Sequence, residues 1–404
     1  MKIAVLKFGG TSMSSESSRE KVVEKIIEKY NQGYKTLVVV SAMGRIGDPY
    51  ATDTLIEMIN PGAVTNKERD LLLSCGEIIS AVVLANHISL KGYRASVLTA
   101  YQAGIETDDN FGNAEIINVY PDRILKSLDE NNITIVTGFQ GKTKNGEITT
   151  LGRGGSDITA IALAKAVKSN HVEIFTDVDG IMTADPNMVA DAKVLKNMCY
   201  SEVYYLAENG AKVIHPKAIE MAQEFDIPLI IKNTYSDNEG TYIKAMDAQF
   251  IHDRKKLFNK GIIISLTYKK NRAQLIITLE DSKRDLGSLI EKIALENINL
   301  DIINFLPSKK ILTIDMRDKD KLVNLLEKEN FDYEIIKNCC KLSILGYKIK
   351  DNPEIIARII KALSSENISI LQISDPNNTF SCLIKEEDTN KALAILHKEF
   401  KLHD

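Results

Sequence analysis

Cysteine is scarce and scattered: Cys75, Cys199, Cys339, Cys340 and Cys382 form no CxxC pair and have no histidine beside them at metal-binding spacing. An odd, dispersed set of thiols suits a reducing cytosol. No charge of one sign dominates, since 51 basic and 55 acidic residues leave a net charge of −4 that is spread along the chain. Nothing electrostatic therefore argues for nucleic acid or an anionic membrane. No apolar run approaches the ~18 residues of a membrane helix, and the first strand is too short for a signal-peptide core. Also missing are a GxxxxGK[ST] loop, a dinucleotide fingerprint, a Ser/His/Asp set and a histidine cluster. These absences leave small-molecule chemistry in the cytoplasm as the expectation.

What is present is apolar enough for large cores. The chain has 404 residues, 44% hydrophobic and 26% charged, which suits two or three domains. From residue 1 to about 245, short β-rich runs alternate with helical patterns. The runs are IAVLK, TLVVVSA (36–42), ASVLTA (95–100), ITIVTGF (133–139), VEIFTDV (172–178) and PLIIKN (228–233). Near-continuous apolar strands joined by helices predict a mainly parallel sheet covered on both faces, with ligands beyond its carboxyl ends. Lys7, Ser41, Phe139 and Thr176 fall at those ends. After a polar stretch at 233–245, ALENINLDII (294–303) is echoed by LSSENISILQI (363–373). Each copy is a candidate β-α-β-β-α-β unit of ferredoxin-like size, and two such units commonly share a sheet.

Four stretches carry candidate chemistry. In KFGGTS, Lys7 precedes Gly9 and Gly10, an arrangement that lets backbone N–H groups and a point charge approach a phosphate. A tight turn with a surface lysine is the plainer alternative. In LGRGGSD (151–157), glycines lead to an N-cap-like Ser156 and Asp157 at the head of an apolar helix, with Arg153 offering a fork to a carboxylate or phosphate. The alternative there is a capped helix with a solvated arginine. Glu77 is the charged residue on a face with Leu73, Ala81 and Leu84, so it needs a cation, either a ligand ammonium or an internal lysine or arginine. The fourth pair is FTDVDGIMTADP (175–186), with Thr176 and Asp177 at a strand end, and GAKVIHP (210–216), with Lys212 at the start of a helix and His215 packing a turn.

Taken in order, KFGGTS, VVVSAMG, Thr52-Asp53, CGE (75–77), GRGGSD (152–157), TDVDGI (176–181) and GAKVIHP resemble the aspartate kinase family over about residues 1–240. The doubled C-terminal repeat resembles that family's two ACT domains, and AMGRIGDPYATD is similar to its diaminopimelate-sensitive Firmicutes type. The implied architecture is α/β, an amino acid kinase fold over 1–245 with a mainly parallel central sheet, followed by two ferredoxin-like α+β ACT domains at 260–337 and 338–404. The implied activity is phosphorylation of L-aspartate by MgATP, with Mg²⁺ carried by the substrate phosphates. Resemblance assigns Lys7, Gly9, Gly10 and Ser41 to the ATP phosphates, Phe8 and Ser156 to ATP binding more broadly, and Thr176, Asp177, Met182, Lys212 and Val213 to the nucleoside. It gives aspartate to Thr52, Glu77, Phe139, Arg153, Gly154, Ser156 and Asp157, with Lys7, Arg153 and Asp157 catalytic.

The same resemblance implies a homodimer or higher oligomer through the ACT domains and an inhibitory lysine, threonine or diaminopimelate, for which Gly287, Asn299 and Asp301 are candidate contacts. Departures are Asn187 where the family often has arginine, Met182 where some members have tyrosine, and SKRDLGSL (282–289) where an aspartate-x-proline-glycine turn is usual. A kinase for glutamate or acetylglutamate and a non-catalytic amino acid sensor are the rival readings.

Overall fold

The computed structural model describes residues 2–60, 62–248, 250, 263–278, 286–374 and 379–403. They form two compact units. The first comprises Met1–Ile181, Val194–Glu208 and Lys212–Asp247, and the second Met182–Lys193, Asn209–Ala211 and Ala248–Asp404. Two short pieces that the division at residue 245 gives to the first domain thus pack with the second.

The strands of the first unit are β1 (Ile3–Phe8), β2 (Lys35–Val40), β3 (Ala95–Leu98), β4 (Ile105–Thr107), β5 (Ile116–Val119), β6 (Ile133–Thr137), β7 (Gln140–Lys142), β8 (Ile148–Thr150), β9 (Val172–Thr176), β10 (Asn197–Cys199), β11 (Leu229–Asn233) and β12 (Thr241–Lys244). Its helices are α1 (Gly10–Met13), α2 (Glu16–Asn31), α3 (Thr52–Ile56), α4 (Asn66–Leu90), α5 (Asp122–Asn131), α6 (Gly155–Ala166), α7 (Tyr200–Glu208) and α8 (Pro216–Glu224). The main sheet has the order β10-β12-β11-β9-β1-β2-β6-β3. All six apolar runs became its parallel strands β11, β9, β1, β2, β6 and β3, because continuous Val, Ile and Leu can be buried on both faces at once. The polar stretch after β11 supplies β12, which turns back antiparallel on β11. A small sheet, β5-β4-β7-β8, stands beside it and has no counterpart among the predicted strands.

Helix α4 amends the expectation about apolar length: its 25 residues are long and apolar enough, by composition, to cross a membrane. In the fold it is a core helix, packed on β3, β6 and β8 and carrying the buried acids Asp70 and Glu77.

The second unit is built on β13 (Ile263–Thr278), α9 (Leu286–Leu295), β14 (Leu300–Phe305), β15 (Lys309–Asp315), α10 (Lys319–Lys328), β16 (Asp332–Gly346), α11 (Pro353–Ser365), β17 (Gln372–Ser374), β18 (Thr379–Lys385) and α12 (Thr389–Glu399). One six-stranded sheet holds them in the order β14-β15-β13-β16-β18-β17. The long strands β13 and β16 each serve both repeats, with a register shift between Lys269 and Arg272 dividing the halves. The first repeat runs β-α-β-β-α-β as expected. In the second, made of β16, α11, β17, β18 and α12, the first half of β13 takes the place of the last strand beside β16. Each repeat keeps its own core, one around Leu275, Leu312 and Leu326, the other around Leu266, Ile344, Ile359 and Phe380.

Candidate active site

Lys7 is the penultimate residue of β1, opposite Val39 of β2 and Ile174 of β9. Its Nζ lies 2.7 Å from Asp157 Oδ1, with the two side chains only 12% and 10% exposed. Asp157 belongs to the first turn of α6, whose N-cap is Gly154, not the Ser156 and Asp157 suggested by the sequence. Gly154 has φ +76, a left-handed conformation that glycine enters without steric cost, and a Cβ there would lie 2.4 Å from that of His215. Freed from capping, Ser156 Oγ accepts a 2.9 Å hydrogen bond from Ser41 Oγ. The head of α6 is thereby tied to the ends of both β1 and β2.

Glu77 comes to the same place from α4. It is 1% exposed, and Ala42 N at the end of β2 donates to its Oε1 at 3.0 Å, while Oε2 is buried without a partner. Burial outweighs that single amide and pushes the carboxyl up to about 8. The internal lysine or arginine that could have answered Glu77 is not there among the described residues. Phe139, one residue past Gly138 after β6, has φ +69, a strained region for a side-chain-bearing residue. Its N–H donates to Thr159 Oγ1 at 3.1 Å and its carbonyl accepts from Leu151 N at 2.8 Å, which holds the turn in place.

These groups line one cavity of about 800 Å³. Of the sequence-predicted residues it gathers Lys7, Ser41, Thr52, Glu77 and Phe139, together with Arg153, Gly154, Ser156 and Asp157. Arg153 is exposed at the end of the β8 turn. Cations the sequence reading did not single out also face it, namely Arg69 and Lys217, with His215, whose imidazole burial pushes down. Arg69 stands four residues before Leu73 and eight before Glu77 on α4, a spacing that marks one helix face and could have found it.

The remaining predicted residues are placed less simply. Gly9 is the N-cap of α1, and Gly10 sits so close to the β2 loop that a Cβ would be 2.6 Å from the Gly44 carbonyl. Phe8 is fully buried with its ring stacked on Phe175 at 4.7 Å, so its side chain is core and only its backbone borders the Gly9-Gly10 turn. Thr176 and Asp177 end β9, where Asp177 pairs with Arg45 at 2.8 Å. Lys212 and Val213 lie in the turn before α8, not at a helix start, because Pro216 opens that helix and His215 caps it through Lys217 N. Met182 belongs to the second unit, where its carbonyl accepts from Ser265 Oγ. Among the effector candidates, Gly287 and Asn299 are exposed, and Asp301 pairs with Arg272 at 2.8 Å. Residues 282–285 of the departing SKRDLGSL turn lie outside the described residues.

Comparison with known proteins gives this geometry a lineage. The amino acid kinase family model matches residues 2–233, and an ACT domain model matches residues 334–398. The chain is 38% identical to aspartokinase 1 of Bacillus subtilis over 100% of both sequences, and 36% identical to the aspartokinase of Geobacillus stearothermophilus over 100% of this chain and 98% of that one. In fold it is similar to E. coli aspartokinase III, solved with aspartate and ADP, at TM-score 0.77 and 23% identity over 99% of this chain and 100% of that one. The same E. coli protein solved with lysine and aspartate gives TM-score 0.77 and 23% identity over 99% of each chain. Relatives that match from end to end, over a chain whose strand ends gather Lys7, Glu77 and Arg153 around one cavity, place this protein in the aspartokinase family of amino acid kinases.

Proposed function

We propose that this cavity is where the γ-phosphoryl of MgATP passes to the β-carboxylate of L-aspartate, giving 4-phospho-L-aspartate and ADP. A β-carboxylate oxygen forms the new P–O bond as the bond to the ADP β-phosphate oxygen breaks, and ADP keeps that electron pair. The acceptor is already ionised at neutral pH, so the reaction needs no general base. It needs two anions held together, by positioning and electrostatics. The observation that carries this reading is the convergence on one cavity of Lys7, Arg153 and the buried Glu77, whose Oε2 has no partner.

In this assignment Lys7, oriented by Asp157, stabilises charge on the transferring phosphoryl, and Gly9, Gly10, Ser41 and Ser156 hold the phosphates. Arg153 takes the α-carboxylate and Glu77 the α-ammonium, with Thr52 and Phe139 closing the walls. Thr176, Asp177, Lys212 and Val213 are assigned to the nucleoside. No cluster of His, Cys, Asp or Glu that could hold a metal occurs among the described residues, and Mg²⁺ enters as part of the MgATP substrate. The reaction is placed at the head of lysine and diaminopimelate, threonine and methionine biosynthesis in the cytoplasm. A product amino acid (lysine, threonine or diaminopimelate) is assigned to the ACT repeats, through which the chain is proposed to form a dimer or larger homo-oligomer.

Trapping the acyl phosphate as a hydroxamate tests the assignment. Lys7→Ala is expected to lower kcat about 100-fold or more, on the order of 3 kcal/mol, with an unchanged circular dichroism spectrum. A variant within threefold of wild type rejects the role of Lys7. Activity that stays constant under saturating lysine, threonine and diaminopimelate, singly and in pairs, rejects the regulatory assignment.

A further inference from the structure

Of the two further cations in the cavity, Lys217 donates to Asn113 Oδ1 at 3.1 Å, and Arg69 is left to account for. It lies in the first turn of α4 and lines the cavity with Leu73 and Glu77 from the same helix. Its Nε is buried without a hydrogen-bond partner, and the carboxylate its charge acts on, Asp70 beside it in α4, already accepts from three other donors. A guanidinium carries five donors and cannot shed its charge, so leaving a buried N–H unanswered is costly unless an anion meets it. The backbone around it is fixed. Asp70, fully buried, accepts from Gly112 N, Thr150 N and Thr150 Oγ1 at 2.8 Å each. Thr150 ends β8, three residues before Arg153. The start of α4 is therefore fastened through Asp70 to the strand that leads to Arg153, and both arginines line the cavity.

We infer that Arg69 is a second guanidinium for the α-carboxylate of the amino acid substrate, a specificity-determining residue that acts beside Arg153. This rests on the cavity being the aspartate site, as proposed above. Two planar forks on one carboxylate select a substrate with a free α-carboxylate and discriminate against an α-amide. Glu77 then reads the ammonium on the same carbon, and the β-carboxylate is left free to meet the phosphoryl.

The test is steady-state kinetics on the full-length enzyme with Arg69→Met, Arg69→Lys and Arg153→Ala, using aspartate and its α-amide, isoasparagine, which keeps both the ammonium and the β-carboxylate. Losing a charged hydrogen-bonding partner is expected to raise the aspartate KM of Arg69→Met about 10- to 100-fold. The KM for ATP should stay within about twofold, and the preference for aspartate over isoasparagine should shrink in parallel with the rise in aspartate KM. Arg69→Lys should recover only part of the loss, because an ammonium lacks the planar fork. If Arg69→Met does not fold, Arg69→Gln carries the same readout. An aspartate KM within twofold of wild type, or a lowered melting temperature with an unchanged aspartate-to-isoasparagine preference, overturns the inference and leaves Arg69 as a brace for Asp70. If Arg153→Ala also leaves the aspartate KM unchanged, the cavity is not the aspartate site and the proposed function fails with it.

Discussion

At neutral pH the Glu77 carboxyl keeps its proton, because burial moves it from its ordinary range near 4.5 up to about 8. Between those two values the folded chain holds a proton that the unfolded chain has released. Stability therefore falls as pH rises through that window and is fully present only below it. Glu77→Gln supplies a neutral group of nearly the same shape and removes this dependence. Urea unfolding should show the variant gaining on wild type from pH 5 to pH 8, by on the order of a few kcal/mol, while its aspartate kinase activity is lost. Stability curves that stay parallel across that range would show that Glu77 is ionised or solvated in the free enzyme. The buried acid thus costs stability, a usual trade at binding sites.

Helix α4 shows how one element serves core and site together. One face buries Leu73, Ala81, Leu84 and Ile88, and the same face delivers Glu77 to the end of β2. Gly76 makes the approach possible, since a Cβ there would lie 2.8 Å from Ala42 Cβ and 3.0 Å from the Tyr50 carbonyl. In an open helix, Gly→Ala gains up to about 1 kcal/mol. Here the overlap with Ala42 and with backbone wins, and Gly76→Ala is expected to destabilise by about 1–3 kcal/mol. Because the helix must move away from β2, the amide of Ala42 loses its hold on Glu77 and the aspartate KM should rise as well. A variant more stable than wild type with an unchanged KM would show that the contact relaxes freely. The short strands of the small sheet tell the opposite story about legibility. β7 and β8 are three residues each, QGK and ITT, too short and too polar to show a period. Only their pairing with each other and with β4 makes them strands.

In the second unit the two repeats are not separable pieces. The second repeat takes its last strand from the first half of β13, where Leu266 lies opposite Ile344 and Tyr268 opposite Leu342. Ile263 and Leu266 from that strand are part of the second repeat's core. A fragment of residues 338–404 leaves β16 with an open edge and a core lacking those side chains. It is expected to show no cooperative unfolding transition, whereas a fragment of residues 260–404, which restores the strand although it still lacks Ala184 and Val189 of that core, should regain one by circular dichroism. A stably folded 338–404 fragment would show that the borrowed strand is dispensable.

The sequence by itself determined the parts governed by local continuity. Six apolar runs become six parallel strands because burial on both faces demands unbroken apolar residues, and Lys7, Ser41 and Phe139 follow at their carboxyl ends because strand length is set locally. Family resemblance then carried the reading from strand ends to named roles. Tertiary structure alone decided which groups meet. Ser41 and Ser156 are 115 residues apart and bond directly, Lys7 reaches Asp157 in the next layer, and Glu77 finds the amide of Ala42, just past β2, in place of a cation. It also moved the cap of α6 to Gly154, put the Phe8 ring in the core, and brought Arg69 into the cavity although an arginine on a helix ordinarily reads as solvated. The physical reason is common to all of these. A strand or helix is specified by the period of its own residues, whereas the partner of a buried polar group is fixed by packing between segments distant in sequence.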